Sequence, residues 1–134
     1  MYNKGGGGIT MIDHFGITVQ DLEKRKAFYQ ATLAPLGYEL RVDNSFAASF
    51  AEVRSADPAG DFWLGSGEKF PPMHFAFNAQ TREEVRKFYQ AGLKAGAADN
   101  GAPGIRENYH PNYYAAFLID PDGNNIEAVC HKKE

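Results

Sequence analysis

The chain has 134 residues, of which 43% are hydrophobic and 13% aromatic, and these values predict an ordinary folded protein of one domain. Fourteen basic residues against seventeen acidic ones give a net charge of -3, without a basic cluster that would indicate nucleic-acid binding. The apolar runs are too short for a transmembrane helix or a signal peptide. The single cysteine, Cys130, cannot form an internal disulfide, which favours a reducing cytoplasm.

The chain begins with a glycine-rich segment, MYNKGGGGIT, over residues 1–10. Four consecutive glycines are entropically costly to order and contribute no side chain to a core. We therefore expect a flexible extension over residues 1–10 and a single domain over residues 11–131.

The first half of the domain reads as strand, helix and three strands. Apolar alternation predicts a strand over Ile12–Val19, and a helical pattern follows over residues 21–34 with Asp21 as its cap. The three predicted strands after it are Tyr38–Asp43, Phe46–Val53 and Phe62–Gly65.

The second half repeats this order. A strand is predicted over Met73–Ala79, and a helix over residues 81–95 begins with a capping box of Thr81 and Glu84 and ends at Gly96. Gly101–Asn112 is predicted to be a loop because of its glycine and proline content. Strands starting at Tyr113 and ending near Cys130 complete the second half.

The two halves are similar in sequence as well as in pattern. KAFYQATL at residues 26–33 reappears as RKFYQAGL at residues 86–93, and the same 60-residue shift places His14 on His74. Farther on, an Asp-Pro-x-Gly turn at residues 57–60 matches one at residues 120–123. The repeat predicts an α+β fold of two tandem βαβββ modules, about 11–68 and 71–131, that form a curved mixed β-sheet cavity with helices outside. Pairing of the modules within one chain and swapping between chains both agree with the sequence.

Strand alternation brings three polar residues to one face. His14, His74 and Glu127 each fall on the side of their strand opposite the helices, with apolar neighbours on the helix side. A carboxylate on the inner face of a sheet is costly unless it is paired or bound to a metal. Two histidines and one carboxylate form a ligand set that leaves open positions for substrate or water. We predict a divalent-metal site made of these three residues.

Further residues are candidates for substrate contact and proton transfer. The predicted loop carries Arg106 as an anion contact, Tyr109 and His110 as an acid or base, and Tyr113 as a substrate contact at its end. Trp63 and Phe50 are candidates for an aromatic substrate pocket. Each also has an ordinary structural interpretation, the loop residues as a solvated cover of the strand edge and the aromatic residues as core.

The chain resembles the vicinal oxygen chelate superfamily, which includes glyoxalases, bleomycin resistance proteins and extradiol dioxygenases. The resemblance is carried by IDHFGITV at residues 12–19, MHFAF at residues 73–77 and FLIDPDGNNIEAV at residues 117–129, and it covers residues 11–131. It implies that His14, His74 and Glu127 match the family's ligands for one divalent ion, Fe, Mn, Ni or Zn. It also implies a small-molecule substrate and a homodimer.

The resemblance leaves the reaction open. Counting from the Asp-Pro-x-Gly turns, Leu64 stands at the position equivalent to Glu127, so the fourth ligand of glyoxalase I is missing and that activity is disfavoured. Isomerase or lyase chemistry, dioxygenation and thiol transfer are all compatible with three ligands. A metal-free binding protein of the bleomycin-resistance type is the alternative, and an inactive relative with a structural metal is a third possibility.

Overall fold

A computed structural model describes residues 12–134 and divides them into two compact units. The first unit contains the described residues up to Gln30 and Gly37–Phe70, and the second contains Ala31–Leu36 and Pro71–Glu134. The extension predicted for residues 1–10 lies outside the described residues. No helix in the described part of the chain is long and apolar enough to cross a membrane.

The first unit follows the predicted order of elements. Its sheet has the strand order β1-β4-β3-β2, with β1 and β4 parallel and the other pairs antiparallel. Helix α1 starts after Asp21, whose Oδ1 accepts a hydrogen bond from the backbone N–H of Lys24. The elements are β1 (Phe15–Val19), α1 (Leu22–Leu33), a 3₁₀ turn (Ala34–Leu36), β2 (Tyr38–Asp43), β3 (Ala47–Glu52) and β4 (Phe62–Ser66).

The second unit has the same topology, with the strand order β5-β8-β7-β6. Helix α2 begins and ends as its sequence predicts. The Thr81 side chain accepts from the Glu84 N–H, and Gly96 ends the helix in the left-handed conformation with φ 115°. The elements are β5 (His74–Asn78), α2 (Arg82–Ala95), β6 (Ala98–Ile105), β7 (Tyr114–Ile119) and β8 (Asn125–Cys130). The α+β class with two βαβββ modules is therefore confirmed.

Each unit buries the helix-facing side of its sheet. In the first unit the buried aromatic rings of Tyr29 and Phe62 meet at 5.0 Å, and Phe50 is fully buried beside Phe62. In the second unit the α2 residues Val85 and Phe88 are fully buried, as are the apolar β7 and β8 residues on the helix side: Ala116, Leu118, Ile126, Ala128 and Cys130. Alternation along β8 therefore correctly assigns Cys130 to the core and Glu127 to the other face.

Two predicted boundaries are wrong. The first strand begins at Phe15 rather than Ile12, so His14 precedes β1. The predicted loop Gly101–Asn112 is a strand as far as Ile105. Strand β6 tolerates its glycines and proline because it lies at the edge of the sheet and its pairing with β7 contains two register shifts.

The register of the strands corrects one equivalence within the repeat. Gly16 pairs with Trp63, and Ala76, the counterpart of Gly16 in the second copy, pairs with Glu127. The residue equivalent to Glu127 is therefore Trp63 and not Leu64. The turns do match, since Gly60 and Gly123 both adopt positive φ, 103° and 93°. The second copy has one more residue between this glycine and the strand than the turn alignment predicts.

Candidate functional site

Strands β5 and β8 place His74 and Glu127 side by side in the second unit. The two strands are parallel, with His74 opposite Asn125 and Ala76 opposite Glu127. The Glu127 side chain is only 3% exposed, whereas that of His74 is 52% exposed. A buried carboxylate on the face away from the helix requires partners for both oxygens.

The His74 ring presents one nitrogen to Glu127. Its Nδ1 lies 2.9 Å from the Asn125 backbone carbonyl, which only accepts hydrogen bonds, so Nδ1 carries a proton. Its Nε2 lies 3.4 Å from Glu127 Oε1. In a neutral imidazole this nitrogen bears a lone pair, and two lone-pair atoms at this distance need a proton or a cation to bring them together. The geometry therefore fits either a protonated histidine paired with Glu127 or two ligands of one cation, with the Nδ1 proton held by a backbone carbonyl.

Tyr113 holds the second oxygen of Glu127. The phenol O–H donates a hydrogen bond to Glu127 Oε2. Burial raises the pKa of Tyr113, and the hydrogen bond to Glu127 raises this pKa further, so the phenol stays protonated and able to donate at neutral pH. Tyr113 was predicted as a substrate contact, and the structure places it as the partner of the carboxylate.

Arg106 and Phe117 extend the same face. Phe117 is the cross-strand partner of Glu127, and its ring is stacked at 6.4 Å from the ring of His74. The Arg106 guanidinium lies over Phe117 at 5.3 Å from the ring centroid. The predicted anion contact is thus brought to the face that carries His74 and Glu127.

A pair of histidines borders Tyr113. His110 Nδ1 accepts from the Asn112 backbone N–H at 3.1 Å, so the proton of a neutral His110 is on Nε2. His110 Nε2 lies 2.9 Å from His131 Nδ1, and both imidazole rings contact the Tyr113 ring edge-on. Tyr109 is 59% exposed, with its ring 4.7 Å from that of Tyr113. His131 was missed from sequence, although it directly follows β8 and a continued alternation places it on the side of residues 127 and 129.

His14 differs from the other two predicted ligands. It belongs to the first unit, precedes β1, and its side chain is 63% exposed with Nδ1 2.8 Å from Asp13 Oδ1. Among residues 12–134, no three His, Cys, Asp or Glu side chains are grouped closely enough to hold a metal ion. The described structure thus brings together two of the three predicted ligands.

The two aromatic candidates lie on opposite faces of the first sheet. Phe50 pairs with Phe62 on the helix side and is fully buried, so it is a core residue and the prediction that it contacts substrate is not supported. Trp63 lies on the other face, where its Cβ is 3.2 Å from the position of a Cβ added to Gly16. Its indole N–H donates to the Gly60 carbonyl at 3.3 Å.

Comparison with solved structures finds many proteins of this fold. A glyoxalase/bleomycin resistance protein from Albidiferax ferrireducens T118 is 31% identical, with a TM-score of 0.74 over 90% of this chain and 98% of that one. A putative glyoxalase from Bacillus halodurans is 26% identical, with a TM-score of 0.64 over 90% and 95%. A mutant fosfomycin resistance protein from Listeria monocytogenes, complexed with Mn(II) and a dihydroxypropylphosphonic acid, is 21% identical, with a TM-score of 0.63 over 91% and 90%.

Sequence comparison supports the same relationship. No protein of curated function matches the chain. The sequence profile of the Glyoxalase/Bleomycin resistance protein/Dioxygenase superfamily matches residues 11–128, nearly the whole chain. The repeated βαβββ topology and this match lead to one conclusion: the chain belongs to the Glyoxalase/Bleomycin resistance protein/Dioxygenase superfamily.

Proposed function

We propose that this protein is a divalent-metal-dependent enzyme that acts on a small oxygenated substrate, with His14, His74 and Glu127 as metal ligands. The observation that carries the proposal is the approach of His74 Nε2 to Glu127 Oε1 at 3.4 Å, with the other nitrogen of the ring bonded to a backbone carbonyl. The donor set suits Fe(II), Mn(II), Ni(II) or Zn(II). When bound, such an ion supplies Lewis-acid polarisation of substrate oxygens.

The other predicted site residues, together with His131, have supporting tasks in this proposal. Tyr113 orients Glu127 by donating to Oε2, which leaves Oε1 directed toward His74. Trp63 and Arg106 contact the substrate. Tyr109 and the hydrogen-bonded pair of His110 and His131 exchange protons with it, and His110 releases its Nε2 from His131 to do so.

The proposal includes three possible reaction classes and does not choose between them. Isomerase or lyase chemistry through an enolate, ring-cleaving dioxygenation and thiol transfer all use a metal-chelated oxygen substrate. Classical glyoxalase I remains disfavoured, because Trp63, which cannot ligate a metal through its indole, stands where the fourth ligand would be.

We further propose that the protein is a homodimer in which His14 joins His74 and Glu127 either within one chain or from the second copy. Mixing a His14→Ala chain with a Glu127→Gln chain, each of which has lost metal binding, tests where the ligands come from. Recovery of metal binding in the mixture indicates that the ligands come from two copies, and a monomeric mass at micromolar concentration contradicts the dimer.

A metal-free binding protein is the second candidate, favoured by the 3.4 Å distance between His74 Nε2 and Glu127 Oε1, which a protonated histidine satisfies without a metal. In that case the face binds a small molecule directly, and His74 and Glu127 form an ion pair or share a water.

Metal titration separates the two candidates. Chelator-treated protein is titrated with Mn(II), Fe(II), Ni(II) and Zn(II) by calorimetry, together with the variants His74→Ala and Glu127→Gln. We expect uptake of about one ion, weakened by about 100-fold or more in each variant, since each removes a ligand. Glu52→Gln is the matched control because Glu52 is also buried but pairs with Arg54. Uptake that is absent, or equal in Glu127→Gln and the parent protein, overturns the metal-dependent proposal.

A further inference from the structure

Arg106 has no carboxylate partner among the described residues, whereas Arg41 and Arg54 each have one. Arg41 lies 2.8 Å from Glu39, and Arg54 lies 3.0 Å from Glu52. The Arg106 guanidinium donates instead to two backbone carbonyls, Gly104 O at 2.9 Å and Ala102 O at 2.8 Å. Within residues 12–134 no Asp or Glu lies at ion-pair distance from it. Its positive charge is therefore hydrogen-bonded but not neutralised by a salt bridge.

The guanidinium is fixed in place on the face of the proposed site. The Arg106 backbone N–H donates to the Tyr113 carbonyl at 2.7 Å, which anchors the residue next to the tyrosine that holds Glu127. The guanidinium lies over Phe117, the cross-strand partner of Glu127. A contact with an aromatic ring attracts the cation and uses none of its N–H groups, so these groups stay available to oxygen atoms.

Glycines make room for this arrangement. A Cβ added to Gly101 would lie 3.1 Å from Arg106 Nη2, and a Cβ added to Gly104 would lie 3.2 Å from Nη1. A side chain at either position would crowd the guanidinium and shift it by a few tenths of an ångström. Gly101 also has φ 149°, inside the range that favours glycine. The part of β6 that the sequence predicts to be a loop thus lies against the guanidinium of Arg106.

Some N–H groups of the Arg106 guanidinium remain available to a ligand. A guanidinium has five N–H donors, and the two carbonyls use one each on Nη1 and Nη2. The remaining donors match the paired oxygens of a carboxylate or a phosphoryl group. The cation is preorganised, because its position is set before any ligand arrives.

We infer that Arg106 is a specificity-determining anion anchor, and that the substrate of this site carries an oxyanion, either a carboxylate or a phosphoryl or phosphonate group, beside the oxygens presented to His74 and Glu127. The position of this oxyanion beside the oxygens presented to His74 and Glu127 rests on the proposed function. The anion contact itself does not require a metal, so the two parts can be tested separately.

The test uses inorganic phosphate and glycolate as probes, with ethylene glycol as a probe that has similar oxygens and no charge. Chelator-treated protein is titrated with each probe while the Arg106 Nε–H signal is followed by NMR, and binding is repeated with Arg106→Gln. We expect phosphate and glycolate to shift this signal, ethylene glycol to leave it unchanged, and Arg106→Gln to weaken anion binding by about tenfold or more. Arg54→Gln, which removes the same charge from an exposed arginine elsewhere in the chain, is the control and should bind both anions like the parent protein.

The outcomes separate the anchor from the metal. Anions that bind without moving the Arg106 signal, or that bind equally to Arg106→Gln, overturn the anchor even where metal uptake succeeds. Anion binding lost in Arg106→Gln, in a protein that takes up no metal, supports the anchor and contradicts the proposed enzyme. The NMR measurement on the parent protein decides the case if Arg106→Gln does not fold.

Discussion

The sheets of the two units share one strand order, yet equivalent positions on them hold different side chains. Trp63 occupies the place of Glu127, and Ser49, which pairs with Trp63, occupies the place of Phe117. On the helix side the equivalent residues, Phe50 and Leu118, are both fully buried and apolar. The two copies therefore keep the chemistry that forms the core and differ on the face where a ligand would bind.

The same contrast holds for an arginine near the edge strand of each sheet. Arg41 in β2 has a carboxylate partner, and its guanidinium also donates to carbonyls of residues 52–57. Arg106, just after β6, donates to two carbonyls and has no carboxylate within the described residues. The first arginine is saturated by the protein and stabilises a loop, whereas the second keeps donors for a ligand.

Removing a helix-side ring gives the largest expected effect, because both units depend on this face. Phe50→Ala should lower the free energy of unfolding by about 3–5 kcal/mol, the usual cost of deleting a buried phenylalanine ring. Metal and anion binding by the folded fraction should be unchanged, since Phe50 lies on the opposite face from Trp63. Chemical denaturation measures the stability and calorimetry the binding.

Phe46→Ala is the control for this variant, because Phe46 is 77% exposed at the β2–β3 turn. We expect a change within about 0.5 kcal/mol there. A Phe50 variant that stays stable but loses ligand binding would restore Phe50 as a substrate contact and contradict the division between faces.

Much of the fold can be predicted from the sequence, because its signals are local and repeated. The capping box at Thr81, the terminating Gly96 and the strand Tyr38–Asp43 were predicted at the positions where the structure has them. Strand β6 was missed since glycine and proline suit both a loop and a bulged edge strand, and only the pairing with β7 distinguishes them.

Part of the candidate site could be predicted because side chains alternate between the two faces of a strand. The alternation of β8 places Glu127 on the face away from the helix, and this period survives an error in strand ends. The residue of the first copy that corresponds to Glu127 depends on the strand register. An error of one residue in this register selects Leu64 in place of Trp63, and Leu64 lies on the other face. The hydrogen bond from Tyr113 to Glu127 and the pairing of His131 with His110 depend on side-chain positions that no local pattern encodes.

The helix side of the second unit requires a small residue at Gly92. A Cβ added to Gly92 would lie 2.2 Å from Leu118 Cδ1 and 3.4 Å from Thr32 Cγ2. Gly92→Ala should therefore lower stability by about 1–3 kcal/mol through overpacking, even though alanine in an open helix position gains about 1 kcal/mol over glycine. Thermal unfolding measures the change.

The combination of Gly92→Ala with Leu118→Ala identifies the clash as the cause. Leu118→Ala makes room for the new methyl group, so the double variant should be more stable than the sum of the two single changes predicts. Gln90→Ala, at an exposed position of the same helix, is the control and should change stability by no more than about 0.5 kcal/mol. Additive single effects would show that the glycine is not required by this contact.

The smallest expected effect tests the contrast between the two arginines. Arg41→Lys keeps the charge and its attraction to Glu39, but a lysine ammonium cannot reach the carbonyls of Asp57, Glu52 and Ser55 together as the fork does. We expect stability to fall by about 1–2 kcal/mol, since each net hydrogen bond contributes about 0.5–1.5 kcal/mol and water replaces part of the loss. Hydrogen exchange of residues 52–57 should quicken, whereas anion binding at Arg106 should stay the same. Arg54→Lys, at an exposed arginine, is the control for both readouts. Weaker anion binding in Arg41→Lys would mean that the first arginine also serves a ligand, and that the two units differ less in function than their contacts indicate.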